Sequence, residues 1–319
     1  MSEEKIVIHI DEELSKKRSN KEKNNKNLAL FLVGLLGFIV VILFLIYLSL
    51  PSLMSFFSKK KSVVIYELKG PIVNYEQTES IYLQKVLSDL DSIEENYDGI
   101  ILKIDSPGGD AYSTKKIAER IKEINKKIPI VACIDQIATS GAYWLASSSD
   151  YIVADDFSIV GSIGVYASYL EFTGLMEKLG VKYNRIVFGK YKDILSPFKN
   201  LTEEERKLIE RKINYIYEYF VKEVAKNRGL NYSFVKEKIA TGEFFFGYEA
   251  KELNLVDAIG DLETCKKKMA HFLNTSIDNI KFQTMKGYYE KELNWFGFSL
   301  GYGLASFFFE KIPQQVKIN

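Results

Sequence analysis

The hydrophobic pattern divides the chain into a polar tail, one long apolar run and an alternating body. Residues 1–27 are polar with charges of both signs, which predicts a solvated tail. Residues 28–50 contain no charge. At about 1.5 Å rise per residue, a helix of that length spans a hydrocarbon core of about 30 Å. We therefore expect a transmembrane helix at 28–50, followed by a linker at 51–62.

The body, residues 63–282, alternates short β-branched runs with amphipathic stretches. Repeated βαβ units imply an α/β fold with a mostly parallel sheet and helices on its faces. Helices are expected at 80–96, from a cap at Ser113 or Thr114 to 125, and from a Thr202–Glu205 capping box to about 227. Strands are expected at 62–68, 99–104, 129–134, 151–154, 182–188, 243–246 and 255–259.

A C-terminal extension, residues 283–319, follows the body. Its stretch 294–309 is apolar, aromatic and spaced by glycines, and it is short and interrupted for a second membrane span. An interfacial patch, a cover over the site and a subunit contact all remain open as its role.

The amino-acid composition limits the partners, metal sites and catalytic bases to be expected. Lysine and arginine number 43 against 42 acidic residues and form no basic stripe, so no nucleic-acid partner is expected. No cysteine and histidine cluster has metal-ligand spacing, and we expect neither a metal nor a cofactor; Cys133 fits a buried strand. The only histidines are His9, in the tail, and His271, on an amphipathic stretch where we expect it to be partly buried. A general base for a nucleophile is therefore expected to be a lysine.

The stretch 137–144, Ile-Ala-Thr-Ser-Gly-Ala-Tyr-Trp, places Ser140 where a buried strand turns into a helix. A sharp turn of small residues suits an exposed nucleophile, because the N–H groups of the first helical turn point towards an approaching ligand. A serine that caps a core helix is the alternative interpretation.

Three further glycine- or lysine-containing turns accompany this stretch. Ser-Pro-Gly-Gly at 106–109 follows a strand, and Gly-Ser-Ile-Gly-Val at 161–165 ends another. Lys-Tyr-Lys-Asp-Ile-Leu-Ser-Pro at 190–197 offers Lys190 and Lys192 as candidate bases, and spacing does not choose between them. A lysine can accept a proton only when neutral, so its reference pKa near 10.4 must fall by roughly 2 to 4 units, which apolar surroundings can supply.

These four motifs, in this order from about residue 63 to about residue 261, resemble the short, single-anchor signal peptide peptidases of the SppA type. That group is peptidase family S49 of the ClpP/crotonase superfamily, and the resemblance implies that the βαβ units form a spiral. It also implies that Ser140 is the nucleophile and Lys192 the base. Gly109 and Gly141 would form the oxyanion hole, and Ser162 would orient the lysine. Asp110 departs from the small residue often found at its position.

The resemblance further implies a ring-like homo-oligomer in which the serine and the lysine of one site come from neighbouring subunits. The expected function is a membrane-anchored Ser/Lys endopeptidase that degrades remnant signal peptides. More lysines and arginines precede 28–50 than follow it, which favours a cell-membrane protein with the N-terminus inside and the catalytic domain outside. The alternatives are a crotonase-like acyl-CoA enzyme and a non-catalytic membrane scaffold.

Overall fold

The computed structural model describes residues 17–18, 23, 32–48, 60–77 and 80–288. The chain divides into two units, residues 1–59 and residues 60–319. In the first unit, residues 32–48 form helix α1, whose side chains are exposed. No helix in these described ranges is long and apolar enough to cross a bilayer. Parts of the predicted span (28–31 and 49–50), most of the predicted tail and all of 289–319 lie outside the described residues.

The second unit is built on a twisted α/β arrangement with a mostly parallel sheet of eight strands, as the sequence predicts. The strand order is β10-β1-β4-β5-β6-β9, with β7 beside β5 and β8 antiparallel to β7; β2 and β3 form a separate parallel pair. The strands are β1 (Lys61–Lys69), β2 (Ile72–Val73), β3 (Ile81–Tyr82), β4 (Gly99–Ser106), β5 (Ile130–Thr139), β6 (Tyr151–Ala154), β7 (Ile159–Gly161), β8 (Phe244–Phe246), β9 (Ala258–Ile259) and β10 (Ile280–Lys286).

Both faces of the sheet are covered, because its strands alternate their side chains between two cores. In β1, Val64 and Tyr66 enter the larger core, and Val63 and Ile65 enter the smaller one.

The helices are α2 (Leu83–Asn96), α3 (Ala111–Ile124), α4 (Gly141–Ser147), α5 (Thr173–Lys178), α6 (Glu203–Arg228), α7 (Tyr232–Phe234) with a π-helical turn at Val235–Ile239, α8 (Gly247–Glu252) and α9 (Leu262–Phe272); a 3-10 turn spans Ile277–Asn279.

Two helix starts matter for the site. Helix α6 opens with the predicted capping box, in which Thr202 and Glu205 bond reciprocally to each other's N–H groups. Helix α3 begins earlier than predicted, and the cap at Ser113 or Thr114 is wrong. Asp110 is the cap, because its carboxylate accepts from both the N–H and the hydroxyl of Ser113.

The predicted strand at 182–188 is also wrong. These residues have no regular structure, and Ile186 and Phe188 are 93% and 91% exposed. A strand needs a neighbour for its N–H and C=O groups, and none of the described strands pairs with this stretch. The predicted boundary at residue 282 falls inside β10, so the sheet extends to Lys286.

Candidate active site

Three of the predicted turns lie together because they end three adjacent strands. Strand β5 is parallel to both β4 and β7, so the carboxyl ends of all three strands meet at one edge of the sheet. The Ser-Pro-Gly-Gly turn follows β4, Ser140 follows β5 and Ser162 follows β7. Crevices at the carboxyl ends of strands are the usual ligand sites of open α/β sheets.

Ser140 has a strained backbone and a free side chain. Its φ of 53° and ψ of −124° lie outside the regions that L-residues usually adopt. Its N–H donates to the carbonyl of Gly161 at 2.7 Å, which ties the turn to β7. Its hydroxyl makes no capping bond to α4. The alternative of a capping serine is therefore wrong, and the geometry is that of a strained strand-to-helix turn.

The glycine turn after β4 presents one backbone N–H group, that of Gly109, to the same cavity. Ile72 donates to the carbonyl of Gly108 at 2.9 Å and accepts from the N–H of Asp110 at 2.8 Å. In such a parallel bridge, the N–H of the intervening Gly109 points away from Ile72. A Cβ on Gly109 would lie 2.1 Å from the carbonyl oxygen of Ile72, so a larger residue does not fit there.

Gly141 supplies the second N–H group. As the first residue of α4, it has no intrahelical acceptor for its N–H. Within the part of the chain that the structure describes, no acceptor is found for this N–H or for that of Gly109. A Cβ on Gly108 would lie 2.7 Å from the nitrogen of Gly141, so the glycine at 108, at φ +90°, leaves that N–H open.

These groups line one cavity of about 1210 Å³. Its wall includes Ser140, Gly109, Gly141 and Ser162, which are four of the five site residues predicted from the sequence. Trp144 forms part of the apolar wall and stacks on Phe220 of α6 at a ring distance of 4.9 Å. The cavity wall therefore contains both polar groups and aromatic side chains, as ligand sites usually do.

Ser162 also has a left-handed backbone, at φ 47°. Its N–H donates to the carbonyl of Glu243 at 2.8 Å, and its hydroxyl donates to the carbonyl of Gly242 at 3.2 Å. The hydroxyl oxygen keeps its lone pairs for another donor. The serine is thus fixed between β7 and the chain before β8, beside Ser140 in the cavity wall.

The fifth predicted residue, Lys192, does not line this cavity. Its side chain is exposed on the stretch between β7 and α6. The lysine that does line the cavity is Lys236, whose Nζ lies 2.6 Å from Glu218. The hydrogen bond to Glu218 raises the pKa of Lys236 above its usual value, so Lys236 stays charged and is a poor base.

The competing base candidate Lys190 is also ion-paired. Its Nζ lies 2.5 Å from Glu204 of α6, and the hydrogen bond to Glu204 raises the pKa of Lys190. Like Lys192, Lys190 does not line the cavity. His271 is exposed on α9 and not partly buried as expected, and it does not line the cavity.

Sequence reasoning missed part of the cavity wall. Tyr217 and Phe220 of α6, together with Thr241 and Gly242, line it from the far side. The aromatic positions of α6 carry helical spacing, which predicts burial without indicating which neighbour they bury against. The sequence signal for this part of the cavity wall was Thr241-Gly242, which comes just before an aromatic run.

The protein has a mixed α/β fold. A strained serine turn and N–H groups without acceptors lie at the carboxyl edge of its parallel sheet. This arrangement is typical of enzymes that attack a carbonyl group. Comparison with known proteins gives the family. Residues 122–276 match the model for peptidase family S49.

Two relatives and one solved structure illustrate the similarity. A putative protease of Methanocaldococcus jannaschii is 35% identical over 82% of this chain and 86% of its own length. The putative signal peptide peptidase SppA of Enterococcus faecium is 36% identical over 64% of this chain and 61% of its own length. A mutant of the 1510-N membrane-bound stomatin-specific protease gives a TM-score of 0.49 at 17% identity, covering 71% of this chain and 98% of that one.

The chain belongs to peptidase family S49 and is a protease. The resemblance to signal peptide peptidases inferred from the four motifs is confirmed. A crotonase-like acyl-CoA enzyme receives no support from these relatives.

Proposed function

We propose that the protein is a serine endopeptidase in which Ser140 attacks the peptide carbonyl and Lys192 is the general base. The N–H groups of Gly109 and Gly141 stabilise the tetrahedral oxyanion, and Ser162 orients the lysine. The observation that carries this proposal is the strained turn at Ser140, which leaves the hydroxyl uncapped in the same cavity as two N–H groups without acceptors.

The chemistry follows from these groups. A neutral lysine takes the proton of Ser140 Oγ as the hydroxyl attacks, and the resulting ammonium gives that proton to the leaving amine. The acyl-enzyme is then hydrolysed by water, which the same lysine activates. Each N–H group that donates to the developing oxyanion is typically worth about 3 to 4 kcal/mol.

The base is proposed to come from a second copy of the chain. Lys192 lies on the stretch 165–200, whose first residues, including Tyr166, line the cavity of Ser140, but Lys192 itself does not line it. Further along, this stretch exposes large apolar side chains, among them Leu170, Ile186 and Phe188. Exposed apolar side chains of this size favour contact with another chain over contact with water. A homo-oligomer with shared sites accounts for both the exposed surface and the distant lysine.

The proposed substrates are remnant signal peptides at the cell membrane. The cavity wall combines backbone N–H groups with the aromatic side chains of Trp144 and Phe220, which suits an extended peptide with apolar side chains. A membrane tether would deliver the enzyme to such substrates. Residues 28–50 carry no charge, and the helical part, 32–48, is about 26 Å long at 1.5 Å per residue. We propose that this segment anchors the chain with its N-terminus inside and the catalytic domain outside.

We also propose that the fold is the spiral of the ClpP/crotonase superfamily. Support comes from the order of the parallel strands β1, β4, β5 and β6, each joined to the next by a helix on the face of the larger core.

The test is peptide cleavage by the wild type and by Ser140→Ala, Lys192→Ala and Lys190→Ala between pH 6 and 10. We expect Ser140→Ala and Lys192→Ala to fold and to be inactive. Lys190→Ala should remain active, because Lys192 is the proposed base. Wild-type activity should reach its plateau well below the pH at which a free lysine loses its proton. Full activity of Lys192→Ala would refute the dyad, and full activity of Ser140→Ala would refute Ser140 as the nucleophile. A folded wild type that cleaves no peptide would favour a non-catalytic scaffold.

A further inference from the structure

The stretch that carries Lys192 is attached to α6 through a buried ionic cluster. Lys199 Nζ lies 2.6 Å and 2.7 Å from the two carboxylate oxygens of Glu205. Of the charged residues that the structure describes, none is buried more deeply than Glu205, which is 4% exposed. Lys199 is also 3.9 Å from the carboxylate of Asp193, which pairs with Arg185 on its other side.

This cluster is joined to the start of a long helix. Glu205 is the third residue of α6, and its carboxylate also accepts from the N–H and the hydroxyl of Thr202, at 3.0 Å and 3.1 Å. A carboxylate in the first turn of a helix is stabilised by the helix dipole. The hydrogen bond from Lys199, followed by that from the Thr202 backbone, lowers the pKa of Glu205 to about 2. Glu205 is therefore a fixed, ionised anchor at neutral pH.

The attached turn is strained three residues after the proposed base. Leu195 has a left-handed φ of 64°, which is unfavourable for a non-glycine residue with a large side chain. Ser196 donates to the carbonyl of Asp193 at 3.0 Å, and Phe172 donates to the carbonyl of Pro197 at 2.7 Å. Such a conformation persists only where its surroundings fix it. Here the hydrogen bonds lie on both sides of Leu195, and the ion pair of Asp193 with Lys199 adds a further contact.

We propose that Lys199 and Glu205 are positioning residues that hold the Lys192 turn on the start of α6. This inference rests on the proposed role of Lys192 as the base. Lys192 makes no salt bridge of its own within the described ranges, so its position follows from the turn on which it stands. Asp193, next to it, is held by Arg185 and Lys199 and so is kept from pairing with the proposed base.

The chain contains a matched control for this cluster. Lys190 and Glu204 are each close in sequence to Lys192 and to the start of α6, and they form an ion pair of 2.5 Å. Their side chains are 64% and 58% exposed, whereas those of Lys199 and Glu205 are 15% and 6% exposed. Exposed pairs contribute little, while breaking a buried pair leaves an uncompensated charge and moves its surroundings. The two pairs therefore differ in burial. They also differ in further partners, because Glu205 accepts from Thr202 and Glu204 accepts from the hydroxyl of Tyr191. Glutamine at position 204 keeps an oxygen acceptor for Tyr191.

The experiment measures kcat and KM on the full-length oligomer for Lys199→Met, Lys199→Arg, Glu205→Gln and the control Glu204→Gln. Melting curves choose a temperature at which every variant is folded, and light scattering verifies assembly. A misplacement of about 1 Å in a reacting group can cost about 100-fold in rate. We expect Lys199→Met and Glu205→Gln to lose about 10- to 100-fold in kcat with KM changed less than about twofold. Lys199→Arg should recover most of the activity, and Glu204→Gln should behave as the wild type.

Wild-type kcat in a folded, assembled Lys199→Met or Glu205→Gln would overturn the inference. So would loss of assembly in place of loss of kcat, because the pair would then serve the subunit contact. Lys192→Ala is run in parallel: if that variant is active, the proposed function fails; if it is inactive while Lys199→Met is unaffected, only the positioning role fails.

Discussion

Gly108→Ala is the substitution that tests the proposed oxyanion hole with the smallest change. Gly108 has φ +90°, and its Cβ would lie 2.7 Å from the nitrogen of Gly141 and 2.7 Å from the carbonyl oxygen of Thr139. It would also lie 3.0 Å from Ser140 Cβ. One methyl group would therefore press on the nucleophile and on one of the two proposed oxyanion donors, without touching the hydroxyl itself.

The expected magnitude follows from this geometry. Ordinary contacts begin near 3.4 Å, so the nitrogen of Gly141 or the loop must move by about 0.7 Å, the difference between 3.4 and 2.7 Å. Loss of one oxyanion donor typically costs about 100- to 1,000-fold in kcat, or about 3 to 4 kcal/mol. The left-handed backbone adds about 1 to 2 kcal/mol of strain to the folded state. At about 2 to 4 °C per kcal/mol for a domain of this size, Tm should fall by only a few degrees.

The assay is steady-state peptide cleavage together with thermal unfolding, with Gly229→Ala as the control. Gly229 also has a left-handed backbone, at φ +63°, but no atom lies within 4 Å of its added Cβ. The control should lose about 1 kcal/mol of stability and no activity. A folded Gly108→Ala variant with kcat within about threefold of the wild type would refute the placement of the oxyanion hole.

Two further outcomes test the surroundings of the site. Arg228→Met should lower the free energy of unfolding by about 2 to 3 kcal/mol without changing kcat at low temperature. The reason is that Arg228 is almost fully buried and bonds Asp257 through two nitrogens at 2.9 and 2.8 Å. Denaturant unfolding measures this loss, and an unchanged midpoint would contradict it. The second outcome concerns acid. Glu205 has its pKa lowered from 4.5 to about 2 in the folded state, so the stability it contributes is present above about pH 4.5 and is lost as the pH falls towards 2. Tm of the wild type should therefore fall more steeply over that range than Tm of Glu205→Gln, and parallel curves would contradict the assignment.

Local patterns predicted much of the fold because they are set by local physics. The strand Tyr151–Ala154 was predicted with its observed bounds, and the Thr202–Glu205 capping box is present as expected. The strand predicted at 182–188 is absent because an apolar run looks alike in a strand and in an exposed, irregular stretch. The predicted cap of α3 was wrong because Asp110, Ser113 and Thr114 are all residue types that cap helices well. Only the fold decides which of these side chains faces the free N–H groups.

The candidate site residues were predicted on two different grounds. Ser140 was predicted from its place at a strand-to-helix turn, and Gly109, Gly141 and Ser162 from the resemblance to signal peptide peptidases. All four line one cavity, and their catalytic roles stay predictions. The pairing of Lys190 with Glu204 joins residues on different elements, so spacing could not reveal it. The wall formed by α6 also depends on how that helix packs, which periodicity alone does not fix.

Complementation between two inactive variants tests whether each active site takes its serine and its lysine from different chains. Ser140→Ala and Lys192→Ala chains are unfolded together, mixed in equal amounts and refolded into oligomers, and each is refolded alone as a control. If every site takes its serine from one chain and its lysine from a neighbour, random mixing gives about a quarter of the sites both intact groups. The account predicts that the mixture recovers about a quarter of wild-type activity while each variant alone stays inactive. A mixture as inactive as its components, in oligomers shown to contain both chains, would contradict it.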